Sequence, residues 1–219
     1  MADDTRHSKA QEVEIARDPD DLARLESYNT IKQYRKIEEM VGYFIEPEHP
    51  FKLRPSHILT LHRAALEGIS ATAGVWRPAG VSIGGSKHTP PDAFQVPERI
   101  EDLCDYINEK WDEKSPLHLA AYVMWRLNWI HPFTDGNGRT SRAVSYLVLC
   151  IRLNMLPPGR MTIPQQIEQE KTPYYKALEA ADEACDHLKI DLTAMKELLG
   201  AMLAKQLHAI YEHSEAGAD

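Results

Sequence analysis

The sequence predicts a mainly α-helical domain. Three observations carry this reading. Apolar residues recur at three- and four-residue steps through most of the 219 residues. Helix starts are marked by an acid or hydroxyl followed by proline, as at Asp18-Pro19 and Ser115-Pro116. A single short stretch, Val81-Ser82-Ile83 before Gly84-Gly85, alternates as a strand does ahead of a sharp reversal.

Met1 to about Lys9 is polar and frays. Asp18-Pro19-Asp20-Asp21 opens a helix to about Ile45, with Leu22, Leu25, Tyr28, Ile31, Tyr34, Ile37 and Val41 on one side. Glu46-Pro47-Glu48-His49-Pro50 breaks it. Ser56 is a candidate cap for a helix to Leu66. After the strand-like segment, Thr89-Pro90-Pro91 ends any pairing. Val96-Pro97 opens a helix to about Trp111, and Ser115-Pro116 opens one through Leu117 to Ile130. A run from Ala143 to Leu153 continues a helix that begins near Arg139, and Leu156-Pro157-Pro158-Gly159 stops it. A helix from about Pro164 to His187 can be interrupted at Thr172-Pro173, and the last helix runs from Asp191 to about Glu212. No repeat appears.

Composition excludes several classes. The net charge of −8 disfavours bulk attraction to nucleic acid, so no nucleic-acid partner is expected. The apolar helical runs are broken by Arg126, Asn128 and Arg152, so they read as core helices and no membrane partner is expected. No signal-peptide pattern opens the chain. Cys104, Cys150 and Cys185 are odd in number and widely spaced, which reads as reduced thiols in a cytoplasmic protein. His62, His118 and His187 are scattered and make no metal constellation. Trp125 and Trp129 read as packing residues, and His88 as a surface histidine.

The chemistry concentrates in His131-Pro132-Phe133-Thr134-Asp135-Gly136-Asn137-Gly138-Arg139-Thr140-Ser141-Arg142. Gly136 and Gly138 can take backbone angles that a Cβ forbids, so consecutive N–H groups can converge on one anion. The helix that follows adds the positive end of its dipole. Arg139 and Arg142, three apart, can grip phosphate oxygens as forks. Asp135 offers an acceptor for Mg2+, which binds through one or two carboxylates plus phosphates. His131 can accept a hydroxyl proton near neutral pH. Each piece alone is an ordinary turn or helix start; their conjunction is rare.

This window resembles the signature of the Fic-domain family, His-x-Phe-x-(Asp/Glu)-Gly-Asn-Gly-Arg-x-x-Arg, at every fixed position. The resemblance implies a Fic-type helical bundle with a short β-hairpin flap over the active site. It implies AMP transfer from ATP, with Mg2+, to a Ser, Thr or Tyr hydroxyl of a target protein. His131 would be the general base, Phe133 the core anchor and Asp135 the Mg2+ ligand. Gly136, Asn137, Gly138, Arg139 and Arg142 would hold the phosphates. The flap would comprise Val81, Ser82, Ile83, Gly84 and Gly85, and the target would dock on it as an added strand. Tyr174 and Tyr175 lie where the family borders the nucleoside.

The resemblance also divides the chain: residues 1–49 as a helical extension with a regulatory role, 50–190 as the catalytic domain, and 191–219 as a C-terminal helix and tail. Many family members carry a helix bearing (Ser/Thr)-x-x-x-Glu-(Gly/Asn), whose glutamate pairs with the second signature arginine, here Arg142. Glu12 and Glu197 sit in partial matches, followed by Val13 and Leu198 instead of a small residue. Inhibition by a separate antitoxin-like protein or by homo-oligomerisation is the alternative. Two other activities use the same site: removal of AMP, and transfer of another phosphate-containing group. A nucleotide-binding module without turnover is the reading from a different class, and an intact His131 argues against it.

Overall fold

The architecture is a bundle built around one helix that is buried on nearly every side. In the computed structural model, residues 8–9, 18–159, 161–187 and 189–215 are described. Chain order gives β1 (Ser8–Lys9), α1 (Pro19–Phe44), α2 (Pro55–Leu66), β2 (Ser82–Ile83), α3 (Val96–Glu109), α4 (Pro116–Ile130), α5 (Asn137–Arg152), α6 (Ile163–Gln169), α7 (Thr172–Asp186) and α8 (Thr193–Glu215).

Local chemistry sets most boundaries. The Asp18 carboxylate accepts from Asp20 N–H at 2.9 Å and caps α1. Ser115 caps α4 by accepting from His118 N–H at 3.2 Å. At α2 the expected Ser56 cap is absent: the helix begins two residues earlier, with Pro55 in the first turn and no side-chain cap from Arg54. Proline's fixed φ and missing N–H make it a sufficient start. The helix read from Pro164 to His187 is interrupted just before Thr172-Pro173, which gives α6 and α7. Pro173 lacks an N–H, so the ladder cannot run through it.

Helix α5 is the hub. It packs against α1, α2, α4 and α6. Val144, Leu147, Val148 and Cys150 are wholly buried on it, facing Leu119, Val123, Leu127 and Ile130 of α4 and Ile58 and Leu61 of α2 in the same core. Ala120 and Ala121 keep α4 thin where it meets α5. Ser145 of α5 donates to the Ala120 carbonyl there at 2.8 Å, so its buried hydroxyl is paired. α7 and α8 pack against α4 and against each other. Cys104 and Cys150 are free and buried, and burial pushes both thiols up to about 12, so they behave as core residues.

The β-hairpin flap departs from expectation. Ile83-Gly84-Gly85-Ser86 does reverse, with Ser86 N–H donating to the Ile83 carbonyl at 3.3 Å and Gly85 at φ +70°. The returning arm forms no strand. Ser86 Oγ accepts from His88 N–H at 3.2 Å, bending the chain away, and His88 Nε2 lies 2.8 Å from the Trp129 carbonyl. Pro90 and Pro91 then offer no N–H to a ladder. β2 is therefore a lone flap strand. Its antiparallel partner is β1, with Ser8 opposite Ile83 and Lys9 opposite Ser82. No described helix is long and apolar enough to cross a membrane.

A buried glutamine joins α8 to the loop after α5. Gln206 donates to the Pro157 carbonyl at 2.8 Å and to the Tyr146 hydroxyl at 2.9 Å. Gly159, at φ +117°, makes this approach possible: a Cβ there would stand 2.4 Å from the Gln206 carbonyl oxygen. Gly159→Ala is expected to lower stability by about 2–4 kcal/mol. Urea denaturation checks this; an unchanged midpoint would contradict it.

Candidate active site

The signature loop runs between two left-handed residues. His131 is the residue that ends α4, at φ 50°, ψ 58°, with its N–H still donating to the Leu127 carbonyl. Gly136 precedes α5 at φ 74°, ψ 9°. Its lack of a Cβ is required twice: by the angle, and because a Cβ would meet Leu66 Cδ1 at 2.6 Å. α5 starts at Asn137, two residues before the start near Arg139 expected from sequence, so the N–H groups of Asn137, Gly138 and Arg139 lie in its first turn.

The loop is stitched by side chains. Asn137 Oδ1 accepts from Phe133 N–H at 2.9 Å, and its Nδ2 donates to the Phe133 carbonyl at 2.8 Å. That side chain clamps the loop, which leaves only the backbone of Asn137 for a phosphate. Phe133 is buried and stacks on His62 with centroids 3.6 Å apart and planes 4° from parallel.

His62, on α2, reads in the sequence only as one of three scattered histidines. Its Nδ1 accepts from Gly74 N–H at 2.8 Å, which obliges Nε2 to carry the proton and donate to the Asp135 carbonyl at 3.0 Å. Burial lowers its pKa to about 4, against a smaller opposing pull from the Asp135 carbonyl. Arg77 is the second unpredicted brace. It is buried among carbonyls: Nε donates to His131 O at 2.8 Å, Nη1 to Ala79 O at 2.9 Å, and Nη2 to Pro91 O. Its own N–H donates to Pro132 O at 2.9 Å. The root of the flap is thereby tied to the backbone of His131.

His131 Nδ1 lies 3.3 Å from the Asn128 carbonyl, which can only accept. Nδ1 is thus the protonated nitrogen and Nε2 the basic one. Asn128 also donates through Nδ2 to Ser141 Oγ and to Tyr174 OH, both at 2.8 Å. Tyr174 is buried with its hydroxyl in this network. Tyr175 is half-exposed, and both line the cleft.

The cleft encloses about 580 Å3, a volume suited to a small molecule. His131, the first turn of α5, Arg139 and Arg142 share it with Glu26 of α1, Glu168 of α6 and Ile83 of β2. Each arginine already has a carboxylate. Arg139 contacts Asp135 at 2.8 Å and Glu26 at 3.5 Å. Arg142, mostly buried, pairs with Glu168 at 2.5 Å, and Lys171 meets the other Glu168 oxygen at 2.6 Å. Partial burial pushes the Glu168 carboxyl up, but Lys171 and Arg142 together outweigh it and hold it below the usual range.

The glutamate on Arg142 is therefore Glu168. Glu197 is exposed on α8 and outside the cleft lining, and Glu12 lies outside the described residues. Val81 is half-buried and Ser82 exposed; Ile83 is the flap residue that reaches the cleft, with Gly84 and Gly85 forming its turn. Asp135 is half-exposed, and no group of three or more metal-ligating side chains occurs among the described residues. A dedicated metal cage is thus not what these residues make. One accessible carboxylate does fit an ion that arrives with phosphates and keeps its waters.

The helix bundle thus carries a helix N-terminus, a histidine and two arginines in one cleft, a combination suited to phosphates. Residues 50–149 match the Fic/DOC family, and the chain belongs to that family. It is 34% identical over 163 residues to protein adenylyltransferase fic-1 of Caenorhabditis briggsae, covering 69% of this chain and 30% of that one. It is 34% identical over 128 residues to protein adenylyltransferase Fic of Drosophila willistoni, covering 58% and 24%. The chain thus spans about a quarter to a third of these curated relatives. Its fold matches Fic-1 of Caenorhabditis elegans with a TM-score of 0.71 at 21% identity, covering 93% of this chain and 55% of the other. It also matches a Fic family protein of Desulfovibrio desulfuricans G20 at 0.67 and 21%, covering 91% and 56%.

His62 makes stability depend on pH. Between its ordinary value near 6.5 and about 4, the unfolded chain binds a proton that the folded chain refuses. The contribution is fully present above about pH 6.5 and is lost as pH falls toward 4, worth roughly 3 kcal/mol across that window. Urea midpoints measured along this range are expected to slope less steeply in His62→Gln. An identical slope would show that His62 does not carry the dependence.

Proposed function

We propose that this protein transfers AMP from ATP to a hydroxyl of a target protein. One observation carries the reading: His131, with Nε2 as its basic nitrogen, shares a single cleft with the N-terminal turn of α5 and with Arg139 and Arg142. The names of the curated relatives support it.

The residues divide the work as follows. The first-turn N–H groups of α5 and its dipole hold phosphate oxygens. Arg139 and Arg142 take up the charge of the phosphates that leave as pyrophosphate. The target hydroxyl attacks the α-phosphorus in line, its proton goes to His131 Nε2, and the bond to the β-phosphate oxygen breaks. Asp135 would hold Mg2+, which when bound supplies neutralisation of the polyphosphate. Tyr175 forms a wall for the nucleoside. Ile83 places the flap strand at the cleft, where an acceptor segment would pair with β2.

The expected result for His131→Ala is a loss of transfer by about 10²–10⁴-fold with nucleotide affinity kept. Label from α-labelled ATP on protein, read beside calorimetric titration, tests this; transfer at the wild-type rate would refute it. Glu168→Gln removes the carboxylate that phosphates must displace from Arg142. ATP is expected to bind about fivefold tighter, corresponding to roughly 1 kcal/mol for a half-exposed pair. Unchanged affinity would mean that Glu168 does not compete with phosphate.

A further inference from the structure

Helix α5 borders a second cavity at its other end. This cavity encloses about 380 Å3 beside Arg152, the last residue of α5, and shares no lining residue with the active-site cleft. The 16 residues of α5 separate the two sites by about 24 Å along the helix axis. Phe44, Phe51 and Trp111 form an apolar wall. The ring of Phe51 lies 5.0 Å from that of Phe44 and 4.9 Å from that of Trp111, centroid to centroid. All three rings are only partly buried, so the core leaves some of each uncovered. Arg152 is fixed beside them: its Nε donates to the Trp111 carbonyl at 2.8 Å. That bond accounts for Nε alone. Nη1 and Nη2 have no acceptor among the described residues. The cavity therefore joins a broad aromatic wall to an anchored guanidinium whose outer fork is open.

We infer that this cavity is a binding site for a small carboxylate with an aromatic body, of about the size of phenylacetate. The fork of Arg152 takes the two carboxylate oxygens, and the ligand's ring lies against the aromatic wall. Charge decides the class of ligand. An aromatic wall alone also suits an organic cation, but a guanidinium in the same cavity repels one. Glu46 is the single carboxylate of the lining and is exposed, so solvent screens it, whereas Arg152 is partly buried. The volume lies near the small end of ligand cavities, which matches a compact molecule. This site stands apart from the proposed transfer reaction and does not depend on it.

The test is a titration of the full chain, without ATP, using phenylacetate, phenylacetamide and phenethylamine as probes. It is read by calorimetry and by the indole N–H resonance of Trp111, assigned with Trp111→Phe. Phenylacetate is expected to shift that resonance saturably, with a Kd of about 1 mM or tighter. The neutral amide is expected to bind at least about tenfold more weakly, and the amine not at all. Arg152→Gln is expected to weaken phenylacetate binding at least about tenfold, and saturating ATP to leave it unchanged. Four results would overturn the inference: no saturable Trp111 shift up to about 10 mM phenylacetate, equal affinity for phenylacetamide, unchanged affinity in Arg152→Gln, or displacement by ATP, which would put the probe in the active-site cleft. If Arg152→Gln does not fold, the comparison of the three probes on wild type decides alone. None of these results bears on AMP transfer, which the titration does not use.

Discussion

The site depends on one neutral imidazole. His62 is placed between a donor, Gly74 N–H, and an acceptor, the Asp135 carbonyl, so a single tautomer satisfies both. A charged ring could not accept from Gly74, and burial makes the charge costly in any case. The same ring is the flat surface on which Phe133 stacks. Through His62, helix α2 fixes two points of the signature loop and one point of the segment leading to the flap. Arg77 does the matching task from the flap side, holding the carbonyls of His131 and Pro132. His131 is therefore oriented by its backbone neighbours as much as by the Asn128 carbonyl beside its ring.

Helix α5 couples stability to chemistry. Its length is core, and its first turn lines the cleft as the candidate anion site. A rigid helix presents N–H groups whose direction does not change when a ligand arrives, which suits electrostatic stabilisation of developing charge. The arginines of the first two turns are balanced by carboxylates from three places: Asp135 in the loop, Glu26 on α1 and Glu168 on α6. In the proposed reaction, incoming phosphates exchange one anionic partner for another. This explains why the flanking helices matter to a site whose signature lies wholly between α4 and α5.

Much of this was legible in the sequence. The helical class followed from periodicity and proline-marked starts, and the active loop from the conjunction of His131, Asp135, two glycines and two arginines. What the sequence hid are contacts between residues far apart along the chain. His62 shares the buried stripe of α2 with Ile58 and Leu61, and that is its only sequence trace. Arg77 looks like an ordinary basic residue before a proline until three carbonyls surround it. Glu168 lies in no recognisable pattern, and meets Arg142 because α6 turns back over α5. The hairpin expectation failed for a local reason: the reversal at Gly84-Gly85 was read correctly, but the Ser86–His88 bend and the prolines remove the second strand.

The account's central claim is that the α5 cradle and His131 act on one polyphosphate. A crystal structure with a non-hydrolysable ATP analogue and Mg2+ tests it most directly. The account predicts phosphate oxygens on the N–H groups that begin α5 and on Arg139 and Arg142, with Glu168 displaced and the α-phosphorus facing the His131 side of the cleft. A nucleotide bound elsewhere, or one whose phosphates leave the arginines on their carboxylates, would contradict it.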